Sequence, residues 1–180
     1  MTDRSGLTHV DESGAARMVD VSAKDVSVRT ATATGRVTVA PDVVALLRDG
    51  AMPKGDGLAV ARIAGMQGAK RTPELVPLCH PIAVHGVTVD LSVADDAVEI
   101  TAVVRTADRT GVEMEALTAV SVAALTVFDM VKAVDPAAVI DLHLERPRRL
   151  RGGHDDPPGL TRSSWQVRPP PTRPAKGFRP

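Results

Sequence analysis

The sequence predicts an α+β two-layer sandwich, ferredoxin-like with one additional helix: a four-stranded antiparallel sheet carrying its helices on one face. Three observations carry that expectation. Four runs rich in Val, Thr, Ile and Leu (28–39, 84–93, 98–106 and 139–144) alternate with the two-residue period of a strand. The second and third are separated by little more than Asp95-Asp96, which makes them a hairpin. Helical stretches fill the gaps between the first and second runs and between the third and fourth, so the order is β-α-α-β-β-α-β.

Residues 1–24 show little periodicity and read as an irregular arm. Val28 to Val39 (VRTATATGRVTV) is a strand by its Thr and Val content. Pro41 opens a short helix through Arg48, because proline is favoured at a first helical position, and Asp49-Gly50 stops it. Ala51 to Gly55 (AMPKG) is a mobile loop with a lone Lys54. Asp56 is placed to cap a second helix from Gly57 to about Arg71, ended by Thr72-Pro73. Its many small residues (Ala59, Ala61, Ala64, Gly65, Gly68, Ala69) call for close packing against another backbone. Pro73 to Pro81 (PELVPLCHP) is too rich in proline for helix or central strand. Thr110-Gly111 leads into the longest helix, Val112 to about Val134, closed by Asp135-Pro136, and Val139 to Leu144 is the last strand.

Composition narrows the function. Of 180 residues, 43% are hydrophobic and 24% charged, an ordinary globular balance. Phe128, Trp165 and Phe178 are the only aromatics, too few for a base-stacking surface on single-stranded nucleic acid. The single Cys79 excludes an internal disulfide framework or a Cys-rich zinc module. No uninterrupted apolar run approaches the roughly 20 residues of a membrane span, and the first twenty residues lack the pattern of a secretory signal. The expectation is a soluble cytoplasmic protein that binds neither membrane nor nucleic acid. Net charge is zero, yet residues 146–180 hold nine of the 22 Lys and Arg against two acids, a net +7, with eight of the 14 prolines; residues 1–145 carry −7. The chain therefore divides into a folded domain over 1–150 and a Pro/Arg-rich tail over 151–180, expected to be disordered and outside the chemistry.

Chemistry concentrates in three places. The long helix is almost wholly Ala, Val, Leu, Met, Ser and Thr, so a sheet covering one face leaves another for a second subunit. Its ionisable residues are Glu113, Glu115, Asp129 and Lys132. The helix dipole explains acids at the start and Lys132 at the end, but not Asp129 near the C-terminus. Glu115 and Asp129 return to within about 40° of one azimuth while standing roughly 21 Å apart along the axis. One straight helix cannot place both in one pocket; two copies crossing antiparallel about a twofold can, giving a site shared between subunits. Two unrelated salt bridges are the competing account. In Pro77-Leu78-Cys79-His80-Pro81, flanking prolines hold His80 in one direction, for proton transfer, for an anion contact, or simply for a backbone hydrogen bond. The other histidines show no metal-ligand spacing, and no metal site is expected. Lys54, just ahead of a helix N-terminus, suits an anion site or merely points at water; Lys70 and Arg71 add charge at the far end of that helix.

A series of segments occurs in order: Leu7-Thr8-His9-Val10, Met18-Val19-Asp20-Val21-Ser22-Ala23-Lys24, Lys54-Gly55-Asp56, Ala61-Arg62-Ile63-Ala64-Gly65, Ala69-Lys70-Arg71-Thr72, Pro77-Leu78-Cys79-His80-Pro81, Thr110-Gly111-Val112-Glu113-Met114-Glu115-Ala116-Leu117-Thr118-Ala119, then Asp129-Met130 and Lys132-Ala133-Val134. Over about residues 7–150 the chain resembles the cyclic pyranopterin monophosphate synthase family of molybdenum-cofactor biosynthesis. The resemblance implies a ferredoxin-like fold, a hexamer built as a trimer of dimers, and an active site at a subunit interface. It implies a lyase that converts 3′,8-cyclo-7,8-dihydroguanosine 5′-triphosphate, made from GTP by a radical SAM enzyme, to cyclic pyranopterin monophosphate and pyrophosphate. Matched by position, Asp129 is the active-site acid, Lys54 and Lys132 are catalytic lysines, and Leu78, Cys79, His80, Met114 and Glu115 bind substrate. On that basis Asp129 and Lys132 are expected as a proton-transfer pair, Glu113 and Glu115 on the base or its water, and Lys54 with His80 on phosphate, supported by Lys70 and Arg71. No resident cofactor is implied, with Mg²⁺ entering only alongside the triphosphate. Arg149-Leu150-Arg151-Gly152-Gly153-His154 stands where the family often has a Lys-Ser-Gly-Gly-Lys-Ser-Gly-like loop. The alternative is a non-catalytic ferredoxin-like module that binds a nucleotide without consuming it, and such a module has no use for Asp129 and Lys132 in an apolar helix.

Overall fold

The computed structural model describes residues 14–145; the tail, the 149–154 loop and Leu7 to Val10 lie outside the described residues. Strand β1 (Ser27–Thr38) is followed by helices α1 (Pro41–Arg48), α2 (Gly57–Lys70) and α3 (Thr72–Leu75), strands β2 (Gly86–Val93) and β3 (Ala97–Asp108), helix α4 (Glu113–Val131) and strand β4 (Val139–Glu145). The sheet order is β2-β3-β1-β4 with every pair antiparallel, so β1 and β3 are central, as a ferredoxin-like sheet requires.

Alternation decides which face is covered. Ala31, Ala33, Gly35 and Val37 of β1 and Val98, Ile100, Ala102 and Val104 of β3 are buried, while Thr32, Thr34 and Arg36 on the other face stay half-exposed. Helix α4 lies on the buried face against β1, β3 and β4, and α2 packs beside it over β2. The small residues of α2 do what their size suggests. A Cβ placed on Gly65 would stand 2.9 Å from the Ala119 carbonyl oxygen, one on Gly68 2.8 Å from Val122, and one on Gly57 3.4 Å from Met130. These contacts make α2 antiparallel to α4, its start beside the end of α4.

Three expectations need correction. The Pro73–Pro81 stretch was expected to exclude helix, yet Thr72–Leu75 forms one helical turn, because Pro73 sits in the first turn where its missing N–H is not needed. No apolar run was expected to approach a span, yet α4 as a whole is 19 residues long and apolar enough to match one by length and composition. Ten of those residues, including Glu115, are buried by the sheet and α2, so it has the character of a core helix. The Ala51–Gly55 loop was expected to move freely; instead Gly55 closes a turn onto the Met52 carbonyl, with a left-handed φ of +87°, and Lys54 is tied to α4.

Candidate active site

The first turn of α4 forms one wall of a cavity of about 330 Å³. Glu113, Met114 and Glu115 face Leu78, Cys79 and His80 across it, with Val19, Val21 and Lys24 of the N-terminal arm on a third side. The two proline-flanked and helical segments singled out in the sequence therefore meet in one place. Glu115 is only 3% exposed. Burial pushes its carboxyl above the ordinary range, against a hydrogen bond from its own backbone N–H, and the neighbouring Glu113 pushes it up further. Burial, aided by Glu115, likewise raises the Cys79 thiol, so Cys79 lines the cavity as a neutral group rather than a thiolate nucleophile.

His80 makes the backbone hydrogen bond that was the simpler of its two readings: its Nε2 lies 2.6 Å from the Val19 carbonyl oxygen. Only a protonated Nε2 can donate to that acceptor, which leaves Nδ1 as the ring position open to a ligand. In the neutral ring Nδ1 accepts a hydrogen bond, and only in the charged ring does it donate to a phosphate oxygen.

The second cluster lies at the other end of α4. Asp129 Oδ1 is 2.7 Å from Lys132 Nζ, one turn on, and Oδ2 is 2.9 Å from Lys54 Nζ. Lys54 also donates to the Asp129 carbonyl oxygen at 2.7 Å, satisfying a backbone acceptor in the last turn of the helix. The Lys132 and then the Lys54 hydrogen bonds hold the Asp129 carboxyl down to about 2. An acid that the dipole of a helix C-terminus would disfavour is stable because two ammonium groups flank it.

Fourteen positions of α4 thus separate Glu115 from Asp129, roughly 21 Å of helix, and one chain holds two separate clusters. Lys54, expected with His80 on phosphate, pairs within this chain with Asp129, since the turn ahead of α2 lies beside the end of α4. The Asp56 side chain caps α2 as expected, accepting the Ala59 N–H at 2.9 Å. Lys70 and Arg71 end α2 near the start of α4 but are not part of the cavity wall. Among the described residues, no group of three or more His, Cys, Asp and Glu side chains is arranged to hold a metal ion.

Two residues escaped sequence reasoning. Lys24 lines the cavity, and Arg109 donates from Nε to the Lys24 carbonyl oxygen at 2.9 Å. Lys24 closes the Met18–Lys24 segment already conspicuous in the sequence. Its contact with a cavity built 90 residues downstream leaves no local periodic signal.

The MoaC family pattern matches residues 18–146. The chain is 75% identical over 148 residues to cyclic pyranopterin monophosphate synthase of Streptomyces coelicolor, covering 82% of this chain and 87% of that protein. It is 68% identical over 143 residues to the protein of the same name from a Nocardioides species, covering 77% and 88%. To cyclic pyranopterin monophosphate synthase 2 of Mycobacterium tuberculosis it is 59% identical over 151 residues, covering 81% and 90%.

Proposed function

This chain belongs to the MoaC family, and on that premise we propose how its two half-sites perform one reaction. It is a lyase of molybdenum-cofactor biosynthesis, converting 3′,8-cyclo-7,8-dihydroguanosine 5′-triphosphate to cyclic pyranopterin monophosphate and pyrophosphate. The observation that carries the mechanism is the placement of the acidic cavity and the Lys54–Asp129–Lys132 cluster at opposite ends of one buried helix.

Two copies related by a twofold, with their α4 helices antiparallel, bring the acidic end of one to the basic end of the other and complete two sites at once. The outer surface of the helix layer suits such a contact: Val60 and Ile63 of α2 and Leu125 of α4 are 47%, 58% and 61% exposed. Three such dimers make the hexamer.

In the completed site Glu113 and Glu115 face the base and its water, flanked by Leu78, Cys79 and Met114. Opening the purine and closing the pyranopterin ring moves several protons, which needs groups able to give and take them. Glu115, with its raised pKa, is suited to carry a proton. Asp129 stays ionised and fixes both ammonium groups, so in the Asp129–Lys132 pair Lys132 is the donor. Closing the cyclic phosphate requires a sugar hydroxyl to lose its proton and attack the α-phosphorus as the bond to the departing pyrophosphate breaks. Lys54 and Lys132 offset the charge growing on those oxygens, with His80 beside them and Lys70 and Arg71 further out. The chain's own acids and lysines do this without a resident cofactor, and Mg²⁺ arrives only with the triphosphate. The supplier of the substrate is a radical SAM enzyme acting on GTP, and the cytoplasm is where both work.

Pyrophosphate release tests the reading. Wild type releases it, and Lys132→Ala and Glu115→Gln each lose it while remaining folded and assembled. Mixing the two inactive variants under conditions of subunit exchange restores activity, because a heterodimer contains one intact composite site. No recovery after demonstrated exchange would place the whole site within one subunit.

A further inference from the structure

We infer that Lys24 is a further substrate-binding residue, delivered by a strap of chain fixed across the acidic cavity and directed at the phosphate oxygens of the substrate. The inference rests on the reaction proposed above and adds a cation to its site. Residues 18–24 have no strand or helix, apart from a turn, to hold them in place. They are held by their main chain instead. His80 Nε2 donates to the Val19 carbonyl oxygen at 2.6 Å, and Arg109 Nε donates to the Lys24 carbonyl oxygen at 2.9 Å. A third bond, from the Lys24 N–H to the Val21 carbonyl oxygen at 3.0 Å, closes a turn inside the strap. Both backbone polar groups of Lys24 are therefore engaged, and its side chain starts from a fixed point.

Lys24 lines the cavity with Glu113 and Glu115 and, among the described residues, is the one lysine or arginine to do so. Among the described residues its ammonium has neither an ion-pair nor a hydrogen-bond partner, whereas Lys54 and Lys132 are both paired with Asp129. A cavity walled by two carboxylates repels a triphosphate, and an unpaired cation at its edge is the group that counters this. Arg109 does not line the acidic cavity; it lines the neighbouring one, of about 480 Å³, on the other side of the strap. It acts through Lys24 and is a positioning residue.

The test is the KM of pyrophosphate release, together with the affinity for inorganic pyrophosphate measured by calorimetry. Loss of one charge-assisted hydrogen bond corresponds to about tenfold to hundredfold in affinity. Lys24→Ala and the length-preserving Lys24→Gln raise KM and weaken pyrophosphate binding by that factor, with kcat within about threefold. Their melting temperature stays at the wild-type value because the side chain is exposed. Lys24→Arg keeps both constants near wild type. Arg109→Ala raises KM in the wild-type background and leaves it unchanged in Lys24→Ala, a non-additivity that a purely structural role would not give. Unchanged KM and unchanged pyrophosphate affinity in both Lys24 variants overturn the assignment while leaving the reaction standing. So does a raised KM with unaltered pyrophosphate affinity, which would put Lys24 on the base. A wild type that releases no pyrophosphate instead sinks the proposed reaction, and the calorimetric arm still decides the phosphate contact.

Discussion

Replacing Gly35 by alanine tests the packing that holds both ends of α4 in place. Gly35 is in the middle of β1, paired with Ile100 on one side and Leu142 on the other, and it faces α4. A Cβ there would lie 2.4 Å from Val120 Cγ1 and 3.1 Å from Leu142 Cδ2. Carbon atoms settle at about 3.5–4.0 Å, so the first contact is short by more than about 1 Å. Val120 is fully buried, and a helical valine has nearly one allowed χ1, so it cannot swing aside. Either α4 lifts or β1 sags, at a cost of about 1–3 kcal/mol. For a chain of this size that lowers the melting temperature by about 2–12 °C. Urea unfolding at one fixed protein concentration is the assay, since the proposed assembly makes stability concentration-dependent. Val120→Ala removes the opposing methyl groups. The double variant is therefore expected to be less destabilised than the sum of the single variants, by about 1–2 kcal/mol. A Gly35→Ala variant with the wild-type midpoint, or strict additivity in the double, would show that β1 and α4 are not in the tight contact described.

Two further outcomes follow from the charged groups. Burial raises the Glu115 carboxyl, so between its ordinary pKa of 4.5 and the raised value the native chain binds more protons than the unfolded one. Stability therefore falls as pH rises through that window, and Glu115→Gln should be more stable than wild type at neutral pH while losing activity; an equal or lower melting temperature in that variant contradicts the assigned burial cost. Asp129, at about 2 beside its two lysines, should titrate higher in Lys54→Ala but still below 3.8, because the larger Lys132 contribution remains. Carboxyl NMR through an acid titration reads this directly, and an unshifted Asp129 would mean that Lys54 does not engage it in solution.

Much of this architecture is legible in residue order because it is made by local patterns. Alternation places β1 to within one residue, Pro41 and Asp56 mark the starts of their helices, and the small residues of α2 announce the close approach to α4. The long helix is shorter than its apolar pattern at both ends: Val112 becomes its N-cap, and Lys132 its C-cap. Helical periodicity also gives the separation of Glu115 from Asp129 without coordinates. What periodicity cannot give is which loops meet which helix ends. Lys54 joins Asp129 because α2 runs back along α4, and Lys24 reaches the cavity because side chains from two distant segments hold its strap.

The charge states along α4 run opposite to the helix dipole, and that inversion matters for the chemistry. The dipole favours an anion at Glu115, in the first turn, and disfavours one at Asp129, in the last. Burial outweighs the dipole at the first position and raises the Glu115 carboxyl; two lysines outweigh it at the second and lower Asp129. One acid is left able to hold a proton, and the other is fixed as the counter-ion of two ammonium groups. Pairs of acids driven apart in this way are how a site separates proton carrier from electrostatic support. Within one subunit the two roles stand too far apart to act on a single substrate. In the proposed twofold arrangement the proton carrier of one subunit meets the lysines of the other, so the two roles come together on one substrate only where the site is shared.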